Sequence, residues 1–324
     1  MTVKRNKTRR FLVLTLLGSI VVLGIITLIN IWIDIFGLFG DGQHGDKKIY
    51  HNEKTSKYIM SYNYIPSRFK GVLIGPSLSD NLDVTKLWSG ELKYYNASVM
   101  GANISELKQI LNNVIKYGDV QSVIICLHPY LTKDSGSKGG QLDQALYYEA
   151  FGSLNLYQTY ALYVIREYDL MPHKFPKEQY TFYGTNDYNA LFRVKDVAGK
   201  IKEESILHQD EPIEVDEMAL EELDVLLKEL RQKEIVVSAY FHPIPAQIWQ
   251  ANESEHRKYQ NRVSALFFED ELILDFNTDR YLSFRDQVEN YIDHGHLSHQ
   301  GLRFVEKELN SKMLGRHQSE QQNE

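Results

Sequence analysis

Between residues 11 and 33 the chain reads FLVLTLLGSIVVLGIITLINIWI, without a charged side chain. At about 1.5 Å per residue a helix of this length crosses a hydrocarbon layer of roughly 30 Å, which predicts a transmembrane segment. A cleaved signal peptide has a shorter apolar core and a small-residue cleavage site. Here Asn30, Trp32 and Asp34 follow instead, so the segment is expected to persist as an anchor. No second run of that length occurs. The polar, glycine-containing stretch GDGQHGDKKIYHNEKTS (40–56) predicts a tether, placed at residues 34–60.

Beyond residue 60, short apolar runs alternate with helical patterns. GVLIG (71–75) reads as a strand. ISELKQILNNVIKYG then carries Ile104, Leu107, Ile110, Leu111, Val114 and Ile115 at helical spacing. Asn103 with Glu106 resembles a capping box, and Gly118 is expected to end the helix in a left-handed conformation. VQSVIICL follows as a buried strand. The pattern repeats: Leu220, Leu223, Leu226, Leu227 and Leu230 form one stripe, EIVVSAYF and LILDF (272–276) read as strands, and HQGLRFVEKELNSKM as a closing helix. Strands alternating with helices of this length predict an α/β domain over 61–316, with a parallel sheet covered on both faces. The tyrosine-rich region 135–215 fits less well and reads as an irregular helical insertion, more core and lid than carbohydrate platform. Residues 317–324 form a polar tail.

Charge adds a direction. Residues 1–32 hold Lys4, Arg5, Lys7, Arg9 and Arg10 and no acid, which places the tail 1–10 in the cytoplasm and the body outside the membrane. Setting those five aside leaves 31 basic against 43 acidic side chains, a formal balance of −12. An acidic body argues against nucleic-acid binding. The single Cys126 excludes an internal disulfide and a cysteine-built zinc site, and its apolar run predicts a buried, inert thiol.

In open parallel sheets, ligands bind outside the carboxyl ends of the strands. Four segments occupy such positions: GPSLSDN, LHPY (127–130), FHPIP (241–245) and DFN. A serine there needs a base, and the base needs a group that fixes its tautomer. YIDHGHLSHQG offers Asp293 and His296 in one loop. Ser77 in isolation is a turn residue; the distant pair makes it a candidate nucleophile. Ser79 reads as a turn hydroxyl, and His294 and His299 as solvent-facing. His128 and His242, each followed by proline at a strand end, are candidate cleft-lining residues. A metal-dependent hydrolase using His128, His242, Asp293, His294 and His296 is disfavoured, because His-Gly-His lacks the helical spacing of common zinc hydrolases. No metal or other cofactor is expected.

Gly75-Pro76-Ser77-Leu78 resembles the nucleophile block of SGNH/GDSL hydrolases, and Asp293-x-x-His296 resembles their C-terminal block. VLIGPSLSDNL is similar to the Gly-Ser-Ser-Met-Thr-Glu-Asn-Phe block of membrane-anchored, extracytoplasmic members. YNASVMGANISEL resembles the second block, whose glycine (here Gly101) supplies an oxyanion-hole amide. NIWIDIFGLFG and LILDFN also recur in that type, in the same order. The resemblance implies a three-layer, flavodoxin-like sandwich and a Ser-His-Asp mechanism on an ester, with Ser77 attacking, His296 accepting its proton and Asp293 orienting the imidazole. The amides of Ser77 and Gly101 would face the oxyanion.

Two departures stand out. Pro76 replaces the usual Asp or Ser, and LHPY stands where a Gly-x-Asn-Asp block normally supplies a third oxyanion contact. Asn81 or Asn103 is a candidate substitute, although Asn103 is as readily a helix cap. The expected activity is a serine esterase or O-acetyltransferase on a cell-surface polysaccharide, with membrane acyl-transfer or export proteins as partners. The competing expectation is a catalytically weak member that binds glycan or scaffolds an export complex.

Overall fold

A computed structural model describes residues 2–40, 45–89, 92–133, 142–191 and 194–321, with side chains described from residue 8 to residue 313. Residues 41–44 of the expected tether, 135–141, 192 and 193 of the expected insertion, 322–324 of the polar tail and the side chains of Lys4, Arg5 and Lys7 lie outside that description. Helix α1 (Thr2–Ile33) contains an apolar segment, Thr8–Ile33, with a stretch of 18 residues of mean hydropathy 2.8 that is not buried against the body. It is long and apolar enough to cross a membrane, which supports a single-pass topology.

Next come α2 (Glu53–Met60) and α3 (Tyr64–Arg68), then strand β1 (Gly71–Ile74) and the short α4 (Ser77–Asp80). Strand β2 (Tyr94–Asn96), α5 (Ile104–Tyr117) and β3 (Ser122–Leu127) follow. The tyrosine-rich region contains a 3-10 segment (Gln144–Phe151), α6 (Leu154–Glu167), α7 (Tyr188–Leu191) and α8 (Val197–Leu207). The last third holds α9 (Glu217–Gln232), β4 (Val236–Phe241), α10 (Ala246–Ala251), α11 (Glu253–Ser264), β5 (Leu272–Asp275), α12 (Leu282–Arg285) and α13 (His299–Gln321).

The five strands form one sheet in the order β2-β1-β3-β4-β5, and every pair is parallel. Alternate residues feed two cores, as the two-residue strand period requires. Ile74, Ile125 and Phe241 join the larger core with the stripes of α5 and α9. Leu73, Ile124, Cys126 and Tyr240 face the smaller one, with Leu302, Val305 and Leu309 of α13. Each fully buried Val, Leu or Ile contributes about 1.5–3 kcal/mol relative to exposure, so a one-residue register slip would exchange both cores at once. Cys126 is buried, and burial pushes its thiol up to about 12.

Two sequence expectations need correction. The region 34–60 is no free tether: Ile35, Phe36, Leu38, Ile49 and Tyr50 are buried, and α2 packs into the larger core. Asp34, at φ 46°, reverses the chain by accepting from the amides of Leu38 (2.6 Å) and Gly40 (3.2 Å). Polar composition misled here because the charged residues share a short segment with apolar ones that pack inward. Gly118 is extended (φ −133°, ψ −179°), not left-handed. Glycine is needed there for space, since a Cβ would stand 2.6 Å from that of Pro66. The Asn103–Glu106 capping box is formed.

Candidate functional site

The loop that carries Ser77 begins where β1 runs out of ladder partners. Gly75 has no room for a side chain: a Cβ would lie 2.2 Å from Ser79 Oγ and 2.6 Å from Cys126 Cβ. Pro76 is extended (φ −71°) and Ser77 opens α4. As the first helical residue, Ser77 has no intrahelical acceptor for its amide. The Ser79 hydroxyl is buried, donates within the turn to Pro76 O (3.0 Å) and lies 2.8 Å from Ser98 Oγ, which is left to donate to it.

The opposing loop, between β5 and α13, is fixed by its backbone. The amide of Ile292 donates to His296 O (2.9 Å) and that of Ser298 to Asn290 O (2.8 Å). Asp293 Oδ1 accepts from the amides of Gly295 (2.8 Å) and His296 (2.7 Å), so the carboxylate folds the loop that carries the imidazole. Asp293 Oδ2 lies 2.7 Å from His296 Nδ1, and His296 Nε2 lies 3.1 Å from Ser77 Oγ. A carboxylate only accepts, so the imidazole proton belongs on Nδ1 and Nε2 offers a lone pair to the serine hydroxyl. Burial opposes ionisation of Asp293. The hydrogen bond and charge of His296, with the two amides, outweigh burial and hold the carboxyl down at about 2.

The remaining sequence candidates fall in different places. Gly101 occupies a left-handed turn (φ +65°) after β2. The amide of Val99 in that loop donates to Gly75 O (3.1 Å), which brings the loop alongside the Ser77 turn. Among the described residues the Gly101 amide has no hydrogen-bond partner. Asn81 is buried and donates to Leu297 O (2.9 Å), tying the end of α4 to the His296 loop. Asn103 caps α5, its side chain accepting from the amide of Glu106 (3.1 Å). The Asn81 side-chain nitrogen is thus engaged by a structural partner, whereas Asn103 uses only its oxygen for the cap. His299 is exposed and pairs with Asp187 (3.1 Å), and His294 lies 4.0 Å from Glu204.

His128 and His242 line a cavity of about 500 Å³ that His296 borders. Pro129, Pro243, Pro245, Ile244 and Ile248 supply apolar walls, and Glu204, Glu211 and Glu214 supply acids. His242 Nε2 donates to Gly295 O (2.9 Å), since a carbonyl can only accept, which leaves Nδ1 as an acceptor. His128 has the same tautomer, because its Nδ1 accepts from the Tyr130 amide (3.3 Å) and its proton must sit on Nε2. Burial lowers both imidazoles, His128 well below its ordinary range and His242 to about 4. His256, in the same cavity, is likewise lowered to about 4 by burial and the nearby Arg285 charge. At neutral pH all three are uncharged. Among the described residues no group of three His, Cys, Asp or Glu side chains is arranged to hold a metal ion.

Beneath α4 lies a cluster that nothing in the sequence singled out. Lys57 is completely buried and pairs with Asp80 (2.6 Å) and Glu53 (3.0 Å), and it also donates to Ser98 O. Asp80 Oδ2 accepts from the hydroxyl of Tyr188 (2.9 Å), whose ring meets His296 edge-on at 4.9 Å. Burial and then the Glu53 charge push the Asp80 carboxyl well above its ordinary value. Burial works against the Lys57 charge, but the two carboxylates overcome it and raise its pKa. Asp80 stands three residues beyond Ser77, so its helical position was readable; Lys57 and Tyr188 carry no local signal.

No protein-family model matches the chain, and no curated protein matches it. Among solved structures, one described as "a putative platelet activating factor from Streptococcus pneumonia" is similar at TM-score 0.44 and 11% identity, over 82% of this chain and 91% of that one. Similarity this low carries no argument, so the chemistry stands on the site's own geometry.

Proposed function

We propose that this chain is a membrane-anchored serine hydrolase or O-acyltransferase of SGNH type, facing the extracytoplasmic side and acting on acyl esters of a hydroxyl-rich envelope glycan. The observation that carries the proposal is the unbroken line from Ser77 Oγ through His296 to Asp293, at 3.1 and 2.7 Å. Ser77 Oγ attacks the acyl carbon while His296 Nε2 takes its proton. Asp293, held ionised, stabilises the imidazolium that results. His296 then returns the proton to the leaving sugar oxygen, giving an acyl-enzyme and a free hydroxyl. Water or a second sugar hydroxyl, deprotonated by the same nitrogen, resolves the acyl-enzyme by hydrolysis or transfer. The amides of Ser77 and Gly101 face the developing oxyanion, each donor contributing about 2.7–4 kcal/mol to the transition state.

The substrate class rests on the cavity. The neutral Nε2–H donor of His128 suits a sugar hydroxyl, and the acids at Glu204, Glu211 and Glu214 disfavour an anionic ligand. Acetyl is the acyl group proposed, from the resemblance and from where such a protein would stand in the envelope.

The first test is intact mass after treatment with a serine-directed fluorophosphonate, comparing wild type, Ser77→Ala and His296→Ala. One adduct on wild type alone supports the reading. A folded wild type without an adduct overturns it in favour of a glycan-binding or export-scaffold role, which the engagement of the Asn81 side-chain nitrogen favours.

A further inference from the structure

The span and the aromatic insertion are joined at one residue. Asn30, three residues before the end of α1, is buried although the segment around it is exposed. Its side-chain nitrogen donates to Phe151 O (2.6 Å), and its oxygen accepts from the Tyr160 hydroxyl (3.0 Å). Just beyond, Phe39 meets Phe151 at 5.0 Å, and Ile35, Phe36 and Leu38 enter the larger core. The body is therefore seated on the end of its anchor, and the 3-10 segment with α6 forms the seat.

Helix α6 has a face that the protein leaves uncovered. Leu156, Thr159 and Arg166 are buried. Leu154, Tyr157, Ala161, Val164 and Tyr168 lie exposed at intervals of three and four, a continuous stripe on a helix. Leu154 is 74% exposed and Tyr168 70%, and Leu170 and Met171 prolong the apolar surface. Facing water, such a stripe forgoes about 25 cal/mol for each Å² of apolar surface it leaves uncovered. Its position identifies the solvent it suits. Tyr160, which reaches Asn30, touches Tyr157 of the stripe at 6.2 Å. Trp32, 86% exposed, stands at the same end of the span. Tyr and Trp favour the headgroup level, where an apolar ring and a polar edge are both satisfied.

We infer that the exposed face of α6 lies in the headgroup–acyl boundary of the bilayer that α1 crosses, so that the body is docked on the lipid surface and does not swing on a tether. The inference rests on the single-pass reading of α1 and is independent of the esterase reading. An amphipathic helix lying in that plane adds apolar burial to the span and fixes the rotation of the body about the span axis.

The experiment uses the full chain with Cys126→Ser, reconstituted in phosphatidylcholine/phosphatidylglycerol vesicles whose acyl chains carry bromine near the headgroup. A fluorophore is placed singly at Tyr157→Cys, Tyr168→Cys, Leu17→Cys in the span and Met218→Cys on α9. The expected result is loss of most fluorescence at 157, 168 and 17, with 218 unaffected. Quenching at 17 without quenching at 157 and 168 overturns the docking. Energy transfer between copies through positions 157 and 168, growing with protein-to-lipid ratio, overturns it in favour of a second copy. An unquenched Leu17→Cys overturns the span reading and the docking with it. Fluorophosphonate labelling of Ser77 is unaffected by any of these results, so a failure here is distinguishable from failure of the esterase reading.

Discussion

The Ser77–His296–Asp293 line and the Lys57–Asp80–Glu53 cluster lie on two sides of the same short helix, yet they treat charge in opposite ways. In the first, side chains of His296 and Asp293 keep 16% and 13% of their exposure, and the proton between serine and imidazole has somewhere to go. In the second, Lys57 and Asp80 are wholly buried, and the ammonium is enclosed by two carboxylates and a carbonyl. A site that moves a proton needs a group whose two protonation states are both accessible. A support needs charges that stay where they are, because leaving one partner unpaired in a low-dielectric interior costs several kcal/mol. On the proposed function, the contrast separates what would react at α4 from what holds α4 in place.

The largest expected effect breaks the reactive side alone. Ser77→Ala and His296→Ala should each lower turnover of an acyl ester by about 10⁴- to 10⁶-fold, since members of such a unit are not independent. The denaturation midpoint should hardly change in Ser77→Ala, whereas His296→Ala also removes the partner of Asp293 and should lower it. Turnover that survives either substitution would remove the proposed mechanism.

The opposite outcome is expected beneath the helix. Lys57→Met leaves two buried carboxylates facing each other and should cost about 3–5 kcal/mol. Chemical denaturation of the full chain in detergent measures it. At a temperature where the variant is still folded, fluorophosphonate should continue to label Ser77. A variant of wild-type stability would show that the cluster does not support α4.

Much of this was legible in the sequence, and the exceptions share a cause. β1, β3, β4 and β5 were visible as apolar runs because both faces of the sheet are buried. β2 was missed: Tyr94–Asn96 is a three-residue edge strand whose tyrosines resemble the rest of an aromatic chain. Ser77, Asp293 and His296 could be nominated because a turn serine and an acid–histidine loop leave local traces. The roles of Asn81, Lys57 and Tyr188 could not, because each is set by a partner far along the chain: Leu297, Asp80 and His296. The apparent tether failed for the same reason, since the core it joins is assembled from distant segments.

pH separates a third pair of groups by the sign of its effect. Asp293, held at about 2 in the folded protein, contributes stability that is present above its unfolded range and is lost as pH falls through about 2. Asp293→Asn should remove on the order of 2 kcal/mol of that contribution at neutral pH. Glu306 behaves oppositely. Burial raises its carboxyl to about 7, against the pull of the Asp83 amide that it accepts at 2.8 Å. Its contribution is complete below the ordinary glutamate range and is lost as pH rises through about 7. Glu306→Gln should therefore gain on wild type as pH rises from 5 to 8. Unfolding curves from about pH 2 to 8 would show opposite slopes in separate windows, the Asp293→Asn difference changing only below about pH 4 and the Glu306→Gln difference only between about pH 4.5 and 7; slopes of the same sign would contradict the assignment.

Tyr188 gives the smallest and sharpest test, because one side chain touches both constellations. Its hydroxyl donates to Asp80, and its ring packs edge-on against His296. Tyr188→Phe keeps the ring and deletes the donor. A buried acceptor that loses one partner costs about 1–3 kcal/mol, and the low end is expected because Lys57 still pairs with Asp80. Turnover should stay at the wild-type level if the ring alone restrains the imidazole. Tyr188→Leu removes both contacts and should lower turnover while leaving the substrate's KM unchanged, since the side chain reaches His296 and not the cavity wall. Loss of turnover in Tyr188→Phe itself, at a temperature where it remains folded, would mean that the hydroxyl–Asp80 bond is coupled to the proton transfer and that the buried cluster and the reactive line act as one unit.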